Sequence, residues 1–377
     1  MIYKDFKGAK LSSLGMGCMR LPTINGDNTK VDIDAVSKMV KYAMEKGVNY
    51  FDTAWGYHGG YSERALGQVL KDYPRDSFYL TSKFPGYDLN NMGKIKEIFE
   101  EQLKRCQVEY FDFYLFHNVC ELNIDAYLNP EYEIMSFMLE EKKKGRIRHI
   151  GFSTHGTIET VKRFLSAYGE HMEFCQIQLN WLDWKMQNAK EKVELLREIN
   201  MPIWVMEPVR GGKLASIDLE YEAELKNARK DATTVEWAFR YIQSFKEVTV
   251  TLSGMSNMDQ LKENIEIFSK NQPTSSTETE MLYNIARKMT ERTSLPCTAC
   301  RYCTDHCPME LDIPKIIELY NEHSYTGGGF LAPMAIGAMP DNKKPSACIG
   351  CGSCEAVCPQ NIKISEMMSD FSAKLKK

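Results

Sequence analysis

Between residues 14 and 253 the chain alternates short apolar runs with longer stretches whose apolar residues recur at three- and four-residue spacing. The apolar runs are LGMGC (14–18), NYFDT (49–53), FYLTSK (78–83), FDFYLFH (111–117), IRHIGFS (147–153), FCQIQLN (174–180), PIWVME (202–207) and VTVTLS (248–253). The stretches between them, such as DAVSKMVKYAMEKG and NMDQLKENIEIFSK, have the pattern of amphipathic helices. Apolar strands separated by helices predict a parallel sheet covered on its faces by helices. Eight such units within about 250 residues suit a (β/α)8 TIM barrel better than an open sheet. No G-x-G-x-x-G follows the first strand, which argues against a Rossmann domain. Residues 1–12 precede the first barrel strand and are expected to form a hairpin plugging the barrel base.

Composition narrows the setting. With 377 residues, 43% hydrophobic and 26% charged, the chain suits a soluble globular protein of two domains. A net charge of −4 offers no basic footprint and argues against nucleic acid as a partner. The longest mostly apolar run, GGGFLAPMAIGAM (327–339), is too short to span a bilayer and too broken by Gly and Pro for a stable helix. No charged-then-apolar leader opens the chain, so secretion is not signalled. Of twelve cysteines, eight lie in two C-terminal clusters. Cys18, Cys106, Cys120 and Cys175 are scattered in apolar segments and read as small buried hydrophobes. A long chain of this kind is no secreted disulfide scaffold, and a reducing cytoplasm is expected.

In such a barrel the C-terminal ends of the strands carry the chemistry. Asp52, Tyr57, Lys83 and His117 stand at or just beyond three consecutive strand ends. Any one of them could be a cap or a satisfied core group; together they suit carbonyl reduction. Hydride added to a carbonyl carbon leaves an alkoxide that needs a proton. Tyr57 would supply it, its pKa lowered by the ammonium of Lys83. Asp52 would hold Lys83 charged, and His117 would position the substrate oxygen. Trp55, Phe84, Tyr87, Trp181 and Trp184 are aromatic candidates for the pocket walls.

FDTAWGY, TSKF and LFHN resemble the catalytic tetrad of the aldo-keto reductases, and the likeness covers roughly residues 14–268. That resemblance implies a nicotinamide cofactor. GFSTH implicates Ser153 and Thr154 in holding the carboxamide, and CQIQLN adds Gln176. MEPVRGGKL is similar to the pyrophosphate loop and implicates Met206, Pro208, Gly211, Gly212 and Leu214. SGMSNMDQLKEN resembles the adenosine end, with Gly254, Ser256, Gln260, Glu263 and Asn264. Gln260 and Gly254 stand where relatives often place the cations that grip a 2′-phosphate, which leaves NADP and NAD both open. No flavin fingerprint is visible, although barrels bind FMN with little sequence trace.

Residues 1–275 are expected to form the barrel and 276–377 a second domain, with KNQPTSSTETE (270–280) as linker. In the second, Cys297, Cys300, Cys303 and Cys307 precede a proline, and Cys348, Cys351, Cys354 and Cys358 repeat the pattern. Zinc suits paired thiolates too, but rarely takes this spacing. The run is that of bacterial dicluster ferredoxins, and resemblance to them implies two 4Fe-4S clusters. It also implies cross-ligation: Cys358 joins Cys297, Cys300 and Cys303, and Cys307 joins Cys348, Cys351 and Cys354. The register continues past the cysteines, Leu311 matching Ile362 and Ile313 matching Ile364, with helices expected to start at Pro314 and Ser365. A mainly α-helical ferredoxin-like domain is expected, with 324–344 as its connecting loop.

The combined expectation is an oxidoreductase that reduces a small carbonyl compound with a nicotinamide cofactor, its clusters exchanging electrons with a ferredoxin or other redox partner. Two alternatives stand beside it: an electron carrier whose barrel is a docking scaffold, and clusters that serve only to hold the fold.

Overall fold

The computed structural model describes residues 1–291 and 294–376. The chain divides into two compact units, Met1–Met281 and Leu282–Lys377.

The first unit opens with an antiparallel hairpin, β1 (Tyr3–Phe6) and β2 (Ala9–Ser12). Eight parallel strands follow: β3 (Leu14–Gly17), β4 (Tyr50–Asp52), β5 (Tyr79–Phe84), β6 (Phe111–Val119), β7 (Ile147–Thr154), β8 (Cys175–Gln178), β9 (Ile203–Met206) and β10 (Val248–Ser253). Each pairs with the next and β10 pairs with β3, so the sheet closes into a barrel. The hairpin buries Phe6, Ala9 and Leu11 in one apolar cluster with Tyr50, Phe113, Phe174 and Trp204 from the strands. Phe6 meets Trp204 edge-on at 5.0 Å between ring centroids. Trp204, Phe113 and Phe174 are fully buried at this end.

Helices cover the barrel outside. Ile33–Glu45 is capped by Asp32, whose carboxylate accepts from the Ala35 amide, and Thr233 caps Thr234–Gln243 through Glu236. At the barrel's end, the segment expected as a linker is partly helical, because helix Ser276–Glu291 begins inside it. Ser275 and Glu278 exchange backbone and side-chain hydrogen bonds as a capping box. Glu278 also pairs with Arg229 and Arg240, which ties these residues to the first unit.

The second unit is helical, with long helices Ile313–Thr326 and Ile364–Lys374 and one-turn helices Tyr302–Asp305 and Ser353–Ala356 ahead of each. The sequence repeat is also a backbone repeat. Left-handed φ recurs at matched positions: Ala299 (54°) with Gly350 (69°), Arg301 (65°) with Gly352 (73°), and Glu310 (51°) with Asn361 (52°). Leu311, Ile313, Ile362 and Ile364 are buried together with Ile316, Ile317, Met368 and Phe371. The segment 324–344 is not wholly a loop: Leu331–Gly337 forms a short helix that sends Ala332 and Ile336 into this core. Pro333 is tolerated because it lies in the first turn, where no intrahelical N–H bond is needed. No helix among the described residues is long and apolar enough to cross a membrane.

Candidate active site and cluster cavities

Parallel pairing places β4, β5 and β6 side by side, with Asp52 opposite Thr81 and Lys83 opposite Leu115. Lys83 is wholly buried; its Nζ donates to Asp52 Oδ1 at 2.6 Å and to the Thr53 carbonyl at 2.8 Å. Tyr57 enters on the turn after β4, its ring centroid 5.1 Å from Lys83 Nζ. His117, near the end of β6, meets the Tyr57 ring edge-on at 5.9 Å and the Tyr87 ring at 5.1 Å. The four side chains foreseen as a tetrad are therefore gathered in one place. Of the aromatic candidates for the pocket walls, Phe84, the last residue of β5, and Trp181 are buried.

Burial raises the Asp52 carboxyl, and Lys83 opposes that rise. Burial likewise holds the His117 imidazole well below its ordinary value, helped by Lys83 and His155. His117 is thus neutral near pH 7, with a buried Nδ1 that has no hydrogen-bond partner. For Tyr57 the direction is opposite to the sequence expectation. Burial pushes the phenol well above its usual range, and the charges of Asp52 and Glu207 add to the rise. Burial is the largest cause, and the ammonium of Lys83 does not reverse it.

Gln176, on β8, is buried; its Nε2 donates weakly to Met206 Sδ at 3.6 Å, while its Oε1 is unpartnered. Ser153 Oγ accepts from the Asn118 amide at 2.8 Å. The Thr154 hydroxyl is turned away into the β6 backbone, donating to Val119 O at 2.7 Å. After β9, Pro208 and Leu214 are buried, whereas Gly211 (φ 63°) and Gly212 (φ 100°) are exposed in left-handed conformations. After β10, Gln260 Oε1 accepts from the Ser256 amide at 2.8 Å, Glu263 accepts from the Thr233 hydroxyl at 2.8 Å, and Asn264 donates to Ser253 Oγ at 2.9 Å. Glu263 and Asn264 thus have protein partners of their own.

Arg20 escaped the sequence reading. It stands two residues past Cys18 at the end of β3, the rim position that marked the tetrad. Its stem lies 3.2 Å from where a Gly254 Cβ would stand, and its Nη2 lies 2.9 Å from the equivalent point at Gly211. A cation therefore overlies the two loops where the sequence reading found none.

In the second unit, one hollow is lined by Cys297, Cys300, Cys303 and Cys358, and another by Cys307, Cys348, Cys351 and Cys354. Each gathers three thiols from one repeat and the fourth from the other, with Ile and Pro side chains around them. The four thiols of each set line one hollow, which suits a polynuclear cluster. Burial and the neighbouring Cys348 and Cys307 push the Cys354 thiol up to about 11. Bound iron would reverse that sign, since thiolates that repel one another are stabilised by shared cations. The quartets fit 4Fe-4S clusters on both counts.

A closed parallel barrel with this quartet on its rim, followed by eight thiols in two crossed sets, has the architecture of a redox enzyme. Comparison with known proteins agrees. The chain belongs to the aldo/keto reductase family, whose model matches residues 13–285; residues 296–362 match a 4Fe-4S dicluster domain. It is thereby an NAD(P)H-dependent oxidoreductase. A probable aldo-keto reductase from Glycine max is 30% identical over 214 residues, 55% of this chain and 58% of that one. The match thus spans less than two thirds of that relative's length. The NADH-specific methylglyoxal reductase of Escherichia coli (strain K12) is 26% identical over 302 residues, 68% of this chain and 89% of the other. The holo form of an aldo-keto reductase from Bacillus halodurans aligns with a TM-score of 0.62 at 24% identity, covering 76% of this chain and 96% of its own. One from Klebsiella pneumoniae in complex with NADPH aligns at 0.60 and 19% identity, over 76% and 96%. At these identities the two structures speak for the fold.

Proposed function

We propose that the protein reduces a small aldehyde or ketone at the barrel rim, using NADH or NADPH, and that two 4Fe-4S clusters in its second unit exchange electrons with a redox partner. One observation carries the reading: Tyr57 and His117 converge above a buried Lys83–Asp52 pair. A carbonyl oxygen between the phenol and the imidazole would meet two neutral donors. The phenol is protonated at every ordinary pH, as an acid must be before it acts. Neutral His117 can donate one ring proton to the oxygen and so orient it without adding charge. Lys83 stabilises the negative charge that Tyr57 acquires once its proton has left. Gln176 and Ser153 would hold the nicotinamide carboxamide, the buried Gln176 Oε1 accepting from its amide. Bound nicotinamide supplies hydride, and each 4Fe-4S cluster carries one electron, so two match a hydride in count.

Tyr57→Phe should lower carbonyl turnover by roughly two orders of magnitude or more, with nucleotide affinity unchanged. Methylglyoxal, named for the Escherichia coli relative, is a suitable first substrate. Near-normal turnover in Tyr57→Phe would remove this reading of the barrel. Visible and EPR spectra of anaerobic protein, before and after NADH or NADPH, test the cluster half. Cluster signals should be present, and their absence would sink it.

A further inference from the structure

The loop after β9 is built on four left-handed residues, Glu207 (φ 56°), Arg210 (47°), Gly211 (63°) and Gly212 (100°). Left-handed φ is costly for a glutamate, so the surroundings must enforce it. They do so through Asp183. Its buried carboxylate accepts from Arg210 Nε at 2.9 Å, Gln178 Nε2 at 2.7 Å and Asn180 Nδ2 at 2.6 Å. Asn180 also donates to the Glu207 carbonyl at 2.9 Å. The Glu207 side chain is thereby turned back over its own loop, its Oε2 3.6 Å from where a Gly211 Cβ would stand.

Arg20 comes to the same point from the other side, its Nη2 2.9 Å from that position. Its backbone is fixed by two flanking bonds: Ser256 Oγ donates to the Arg20 carbonyl at 2.9 Å, and the Leu21 amide donates to His58 Nε2 at 3.0 Å. Its guanidinium makes no hydrogen bond with the described residues. Val209 (φ −110°, ψ 16°) followed by left-handed Arg210 forms a backbone nest, the concavity that binds anions. The Arg20 guanidinium, the nest amides and the missing side chains at Gly211 and Gly254 together make an anion seat, and the Glu207 carboxylate lies beside it, attracted by Arg20.

We infer that Arg20 and the Gly211 amide form the seat for the nucleotide's pyrophosphate, and that the Glu207 carboxylate competes with the nucleotide for it. The inference rests on the nicotinamide reading above and adds to it an internal competitor that sets cofactor affinity. Both cofactors carry the pyrophosphate, so both must feel the competition alike.

The test is titration of intact, cluster-loaded protein with NADH and NADPH, followed by nicotinamide fluorescence. Arg20→Gln should weaken both by roughly tenfold, and Glu207→Gln should tighten both by roughly tenfold. A misfolded variant cannot bind more tightly, so the glutamine variant at 207 guards against that artefact. If Glu207→Gln leaves affinity unchanged or weakens it, the competition is refuted. A loss in Arg20→Gln confined to NADPH refutes the pyrophosphate assignment. Wild-type protein that binds neither nucleotide refutes the nicotinamide reading itself, a result distinct from both.

Discussion

Lys83→Met removes an ammonium from the barrel interior and keeps the length of its stem. Asp52 is then left with no cation, and its Oδ2 has no hydrogen-bond partner even in the parent protein. An uncompensated buried carboxylate typically costs about 3–5 kcal/mol. Protonation limits that cost. Neutralising a carboxyl of ordinary pKa 3.8 at pH 7 costs about 4 kcal/mol, at ~1.4 kcal/mol per pH unit. At pH 5.5 the same limit is about 2 kcal/mol. The sign follows from the raised folded-state pKa of the orphaned carboxyl: the destabilisation is full well above that pKa and fades as pH falls towards 3.8. Anaerobic urea denaturation, followed by the fluorescence of buried Trp204 and Trp237, should therefore give a gap from wild type near 4 kcal/mol at pH 7. The gap should be roughly halved at pH 5.5. Adding Asp52→Asn should recover part of the loss, because the double variant buries no charge. A gap independent of pH, or a double variant with strictly additive cost, would refute the buried-pair account.

Cys358→Ser, although it lies in the second motif, should disturb the cluster held by Cys297, Cys300 and Cys303; loss of the other cluster alone in EPR would disprove cross-ligation. Gly67→Ala, in helix Tyr61–Leu70, should lower stability by about 1–3 kcal/mol in spite of better helix propensity, since its Cβ would meet the backbone of helix Ile95–Cys106 at Arg105 O (2.3 Å) and Cys106 C (2.7 Å). An unchanged denaturation midpoint would show that the two helices can separate freely. Burial alone would raise the Glu278 carboxyl, but the Ser275 amide, Arg229 and Arg240 outweigh it and hold it at about 2. Its contribution is therefore present above the ordinary value of 4.5 and is lost as pH falls towards 2. Glu278→Gln should cost about 1 kcal/mol at pH 7 and less at pH 3 by chemical denaturation, with an equal cost at both pH values counting against the ionised cap.

The eight strands were legible because parallel strands covered on both faces read as unbroken apolar runs. The tetrad residues lie at or just beyond the ends of three such runs, where fold geometry alone brings them together. Arg20 and Glu207 were hidden for a different reason. Arg20 acts on Gly211 and Gly254, far along the chain, and Glu207 points where it does because its backbone is left-handed, a state that glutamate composition does not announce. Leu331–Gly337 was missed because its flanking glycines and internal proline looked disruptive, whereas the proline sits in the tolerant first turn. The Ser275–Glu278 capping box is written in SSTE, inside a stretch whose polarity is equally that of a linker. The direction of the Tyr57 shift needed the folded chain, because burial of the phenol, foremost, and the charge of Asp52 raise it.

The crossed thiol sets also order the birth of the molecule. During synthesis from the N-terminus, the first motif emerges whole at Cys307, yet neither quartet can close then. The set containing Cys307 is complete only at Cys354, and the set begun at Cys297 waits for Cys358. All eight barrel strands precede residue 254, so the barrel can close while the second unit still lacks ligands. On the proposed ligation neither set can hold a full cluster before residue 354 is made, and the two become ready almost together. A chain cut anywhere between Cys307 and Cys348 would carry four of the eight C-terminal cysteines and not one finished set.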